Sequence, residues 1–370
     1  MNILIAPNSM KGSLNAFDFA GIVEKAFLES NGDFIIRKLP VADGGDFTGE
    51  VLSRNLNAKT VFVEVQNPFG EKIKSKYAVF ENTAIIEMAD ASGMKLVDRN
   101  LLNPLIASSF GTGQLIADAV KNGCTEILLA VGGSATVDGG MGMMEALGFH
   151  FFDKNGNMLT GNGRNLSNVN SILKPKELPA VSIKIICDVD NLLLGKNGAA
   201  TVFAPQKGAT PKMVTELETG LKNWARIITN LTGSNSETIK GSGAAGGIAV
   251  PLLAFYSAEI VLGADFVLDQ LNFSEHVKWA DIVITGEGKI DEQTVNNKVP
   301  FVVAKMAHKY NKPVFAICGI VDDDDEKLPF NKVVTLVSES VNESYSIKNA
   351  NSLLYNVSVE LVKTISLNKK

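Results

Sequence analysis

The chain has 370 residues and a net charge of −5, a length that suggests two or three domains at about 150 residues each. Hydrophobic residues make up 45% and charged residues 20%, which excludes bulk disorder. Three cysteines exclude a disulfide framework and suit a reducing cytoplasm, and five arginines among 35 basic residues, with no basic stripe, exclude nucleic acid as an expected partner.

Ile3–Ala6 reads as a buried strand, not a signal peptide, because no basic segment precedes it. The loop Pro7–Leu14 leads to a helix over Ala16–Glu29, with Asn15 as N-cap and Asp18 three residues on. Ile35–Leu39 is the next strand, followed by a loop at Ala42–Asp46 and a helix over Thr48–Arg54. Lys59–Val65, Ile73–Phe80 and Thr83–Glu87 read as three consecutive strands, the first two joined by an Asn67–Gly70 turn. Then come a helix over Gly113–Lys121, a strand over Glu126–Val131 and a helix starting around Gly139. Ile183–Cys187 is a strand, and Lys212–Leu231 carries Leu217, Leu221, Trp224 and Ile228 at helical spacing. The apolar stretch Ile248–Leu268 is broken by Pro251, Glu259 and Asp265, so no membrane span is expected. The last third alternates strand (Ile282–Thr285), helix (Phe301–Tyr310), strands (Val314–Ile317, Val333–Leu336) and helix (Leu353–Ile365).

Such alternation predicts an α/β fold with largely parallel sheets. The strands at 59–87 break the rhythm and mark an antiparallel excursion into a second domain. We therefore expect two α/β domains: residues 1–65 with 275–370 as a discontinuous Rossmann-like domain, and 66–274 inserted into it.

Glycine is in excess, 33 residues against a usual share of about 7%, and it clusters. Gly132-Gly133-Ser134-Ala135-Thr136-Val137-Asp138-Gly139-Gly140 follows an apolar strand and precedes a helix. That context serves either an anion-binding loop or a tight packed turn; Asp138 would hold a cation or cap the helix. Gly111-Thr112-Gly113 opens another helix. Thr285-Gly286-Glu287-Gly288-Lys289-Ile290-Asp291 reads as a loop beyond a parallel strand, where open sheets bind ligands. Gly241–Gly247 matches G-x-G-x-x-G but lacks the apolar strand a dinucleotide site requires, which leaves ligand contact or close packing. Asp188 and Asp190 follow a strand and suit Mg²⁺ binding or proton acceptance, or an Asx turn. Ser9, Lys11 and Ser13 lie past the first strand, Asp43 and Asp46 past the second, and Lys207 beside Gly208. The acidic run Asp322–Glu326 reads as a solvated loop. No Walker loop, zinc motif or histidine triad is present, and phosphoryl transfer fits what remains.

Seven motifs then carry a resemblance. Pro7-Asn8-Ser9-Met10-Lys11-Gly12-Ser13, Ala42-Asp43-Gly44-Gly45, Gly111-Thr112-Gly113, Gly132-Gly133-Ser134-Ala135-Thr136, Cys187-Asp188-Val189-Asp190-Asn191, Pro205-Gln206-Lys207-Gly208 and Thr285-Gly286-Glu287-Gly288 resemble, in order, the bacterial glycerate kinase family. The resemblance implies ATP- and Mg²⁺-dependent phosphorylation of D-glycerate to 2-phosphoglycerate in a cleft between two α/β domains. Departures are Asn8, Asp46-Phe47, Val137, Lys289 and Asn297; Lys289 lacks the fork of the arginine common there. On this footing Gly113, Gly132, Gly133, Ser134, Gly286 and Glu287 are expected at the nucleotide. Ser9, Lys11, Asp43 and Lys289 are expected at the substrate. Asp188 and Asp190 share the roles of base and Mg²⁺ ligand in either order, Glu287 and Asp43 are second choices for them with Glu287 as the further metal candidate, and Lys11 or Lys207 stabilises transferred charge. The alternatives are a same-fold kinase of another hydroxy acid and a nucleotide-binding regulatory protein. The sequence is silent on oligomeric state.

Overall fold

The computed structural model describes residues 1–30, 32–290, 298–322 and 328–367. Asp291, Asn297 and residues 323–326 of the acidic run lie outside them. In chain order the strands are β1 (Asn2–Ile5), β2 (Ile35–Lys38), β3 (Lys59–Gln66), β4 (Lys72–Phe80), β5 (Thr83–Glu87), β6 (Glu126–Ala130) and β7 (His150–Phe152). There follow β8 (Met158–Leu159), β9 (Ser171–Leu173), β10 (Ser182–Cys187), β11 (Glu259–Leu262), β12 (Ile282–Ile290), β13 (Val314–Val321) and β14 (Lys332–Thr335). This is an α/β protein in which most helix and strand positions follow the sequence periodicity.

Contacts divide the chain into two units, Met1–Asp43 with Leu262–Lys370, and Gly44–Val261. The divisions fall at 43/44 and 261/262, where the sequence suggests 65/66 and 274/275. β3 pairs along its whole length with β4, which draws residues 59–66 into the middle unit. Helices Gly263–Gln270 and Phe273–Trp279 pack on helix Val299–Lys309, and the latter also on β1, which draws them into the outer one.

The first unit holds a five-stranded sheet in the order β14-β13-β12-β1-β2. Every pairing is parallel, with Ile3 opposite Ile282 and Ile3 opposite Ile36. Helix Ala16–Leu28 buries Phe19, Val23 and Phe27, one turn apart, against Ile3, Ile5 and Leu354. Asn15 caps that helix, its Oδ1 accepting from the amides of Phe17 and Asp18. The chain runs from β1 outward to β2, then returns to the other side of β1 and continues to β14. The order therefore reverses between β1 and β12, the position where open α/β sheets make a crevice.

The second unit holds a six-stranded sheet in the order β11-β10-β6-β5-β4-β3 and a three-stranded sheet in the order β8-β7-β9. β5, β6 and β10 are parallel, while β3, β4 and β5 form the antiparallel excursion. Its core centres on Trp224 of helix Pro211–Thr232, whose ring packs edge-on to Phe151 at 5.4 Å and whose Nε1 donates to Gly139 O at 2.9 Å.

One local expectation is corrected. Thr285–Ile290 is strand, not loop: β12 continues to Ile290 because β13 pairs with it as far as Val321. Gly286 permits this closeness, since a Cβ there would lie 1.9 Å from Ile317 O and 2.7 Å from the Phe19 ring.

Candidate active site

The first unit carries a cavity of about 330 Å³ at the carboxyl ends of β1, β12, β13 and β14. Each wall has a local cause. The segment after β1 turns tightly, with Met10 and Leu14 exchanging backbone bonds around Gly12 at φ +81°. Asn8 N donates to Gly286 O and Asn8 Oδ1 accepts from Ser9 N, both at 2.8 Å, which ties this turn to β12. Thr285 Oγ1 donates to Ala6 O at 2.8 Å and locks the same two strands below it. The end of β12 then supplies Glu287 and Lys289, with Glu287 only 7% exposed.

All four residues expected at the substrate, Ser9, Lys11, Asp43 and Lys289, line this one cavity, together with Glu287. The sequence reading misses Lys298, which also lines it and donates to Asp43 Oδ2 at 3.0 Å. Lys289 pairs with Asp322. Lysines and buried carboxylates in one cavity suit a small anion whose hydroxyl or bound cation meets a carboxylate.

The second unit brings together Gly132, Gly133, Ser134 and Lys207. Gly132 lets the segment after β6 lie on the Asp-Gly-Gly loop: a Cβ would fall 2.4 Å from the Gly45 carbonyl carbon. Lys207, 1% exposed, donates to Ser134 Oγ at 2.8 Å and Thr136 O at 2.7 Å. Burial pushes its ammonium down to about 7, and the Asp138 charge opposes that fall. Asp138 caps a helix. It accepts from Ser109 N and Oγ, both at 2.7 Å, and from the amides of Gly140 and Gly142. Its burial raises the carboxyl against those bonds. The Gly241–Gly247 segment packs closely: a Cβ on Gly246 would fall 2.2 Å from Thr136 O.

The remaining expected residues lie elsewhere. Gly113 sits in a helix contact, where a Cβ would meet Met143 O at 2.3 Å. Asp188 and Asp190 are exposed beyond β10, and Asp190 pairs with Lys240 at 3.6 Å. Phe47 belongs to the second unit and lines a different, smaller cavity beside Glu87. Among the described residues no cluster of three or more His, Cys, Asp or Glu is arranged to hold a metal, and no helix is long and apolar enough to cross a membrane.

The profile of the glycerate kinase family matches residues 3–366. The chain belongs to that family. It is accordingly a kinase, a transferase of phosphoryl groups. It is 42% identical over 330 residues to the glycerate 2-kinase of Escherichia coli (strain K12), covering 88% of this chain and 86% of that protein. It is 39% identical over 375 residues to the glycerate kinase of Halalkalibacterium halodurans, covering 99% of each. A glycerate kinase 2 crystal structure from Salmonella typhimurium LT2 superposes with a TM-score of 0.86 at 38% identity, covering 100% of this chain and 99% of that one.

Proposed function

We propose that this kinase transfers the γ-phosphoryl group of ATP to the 2-hydroxyl of D-glycerate in the cytoplasm, giving 2-phosphoglycerate. The observation that carries this reading is the meeting of Ser9, Lys11, Asp43, Glu287 and Lys289 in one cavity at the strand-order reversal. The name of the Escherichia coli relative supports the choice of substrate and hydroxyl.

Lys11 or Lys289 binds the glycerate carboxylate, and Ser9 adds a hydroxyl donor. Asp43, held by Lys298, accepts the proton of the acceptor hydroxyl. Mg²⁺ takes one or two carboxylates together with phosphate oxygens, and Glu287 is a hard oxygen donor in the same cavity that fits this need. Glu287 would hold it, where the ion would neutralise phosphate charge. Gly132, Gly133 and Ser134 handle nucleotide phosphates through backbone amides and one hydroxyl. Asp188 and Asp190 rank below Asp43 and Glu287 because their exposure leaves them in bulk dielectric.

A coupled ADP-release assay over D-glycerate, L-glycerate, glycolate and lactate tests the reading. Turnover is expected with D-glycerate, and phosphorus NMR of the product should show the 2-phosphate. No turnover with D-glycerate would overturn the substrate, and a 3-phosphate would overturn the hydroxyl.

A further inference from the structure

The segment after β6 is fixed by two sets of bonds. Met94 N donates to Gly133 O and Ala135 N donates to Ser92 O, each at 2.9 Å. Lys207 supplies the other set, to Ser134 Oγ and Thr136 O. An ammonium has three donors and no acceptor. In the Lys207–Ser134 bond the lysine nitrogen donates and Ser134 Oγ accepts, which leaves the Ser134 O–H for another partner. Ser134 is 5% exposed, which leaves that proton few directions.

We propose that Lys207 is a positioning residue, which turns the Ser134 hydroxyl into a fixed donor for a phosphoryl oxygen of the nucleotide. This rests on the reading of the glycine segment as the phosphate-handling one. Lys207 itself touches no substrate; it acts through Ser134.

The test is a double-mutant cycle read in steady-state kinetics with ATP and D-glycerate. Ser134→Ala should lower kcat about 100-fold, the size of one preorganised donor. Lys207→Met should do the same and leave KM for D-glycerate within about twofold, as expected for an interaction made in the transition state. The double variant should be no worse than the poorer single by more than about threefold, because one donor is lost in both. If the two losses multiply, Lys207 acts independently of Ser134 and the inference fails while the loop reading stands. If Ser134→Ala leaves kcat unchanged, the loop reading itself fails and the inference with it. Lys207→Gln, which keeps a polar head at the site, serves the same cycle should Lys207→Met not fold.

Discussion

Asp43 and Lys298 form the tightest test of the cavity at the level of single side chains. Asp43 is 7% exposed at its side chain and Lys298 is 31% exposed, so their pairing at 3.0 Å is shielded on the acid's side. Asp43→Asn should lower kcat at least about 100-fold, the usual worth of a positioned base, while circular dichroism stays unchanged. Lys298→Met should lower kcat about tenfold or more, about 1.4 kcal/mol in the barrier, in the same assay, because it frees the Asp43 carboxylate that Lys298 holds. Lys207 makes a separate prediction in stability. Its folded pKa of about 7 lies below an unfolded value of about 10.4. The unfolded chain thus binds more protons between those values, and stability rises with pH across that window. The urea midpoint of the wild type should climb from pH 7 to 10 relative to that of Lys207→Met, and a constant difference would contradict the assignment. Ser9, Lys11, Asp43 and Lys289 are legible in sequence because each lies at or past the end of an apolar strand run. Lys298 is not, since it opens helix Val299–Lys309, where a cation opposes the positive end of the helix dipole. That misfit is the one signal that could have marked it: a lysine there needs a carboxylate partner.

Glycines at element contacts decide a second set of outcomes. Gly113→Ala gains about 1 kcal/mol of helix propensity. The new Cβ, however, would lie 2.3 Å from Met143 O, a backbone atom of helix Met141–Ala146. Overpacking of that kind costs about 1–3 kcal/mol, so the clash outweighs the gain and Tm should fall. Retained kinetics at low temperature would mark Gly113 as a packing residue, and unaltered Tm with a raised KM for ATP would mark it as a ligand contact. Trp224→Ala should cost about 3–5 kcal/mol in urea unfolding, since the indole is fully buried and also holds Gly139 O. Periodicity makes the long elements readable, as with Pro211–Thr232. It fails for β8, two residues long, where no period can show. It also misplaces the end of β12, because glycines that read as loop punctuation serve instead to let two backbones touch.

At the scale of the chain, the middle unit is continuous and has its own core, gathered around Trp224, Phe149 and Phe151. A fragment spanning residues 44–261 should fold by itself, with one cooperative thermal transition. A fragment of residues 1–43 should not, because β1 lies inside its sheet with β12 as one neighbour. The α/β class is readable from strand–helix alternation, whereas the division points depend on which strands pair, which a single sequence does not display.

That central place of β1 bears on synthesis. Thr285 bonds to Ala6 across 279 residues of sequence. At about 5–20 residues per second, a ribosome takes about 14–56 s to cover that distance. During that time the strand that floors the cavity of the first unit has emerged with one edge unpaired, while the middle unit is free to complete its own core. Nascent β1 therefore waits with an open edge that a wrong strand could fill, and the arrival of β12 decides when the cavity first exists.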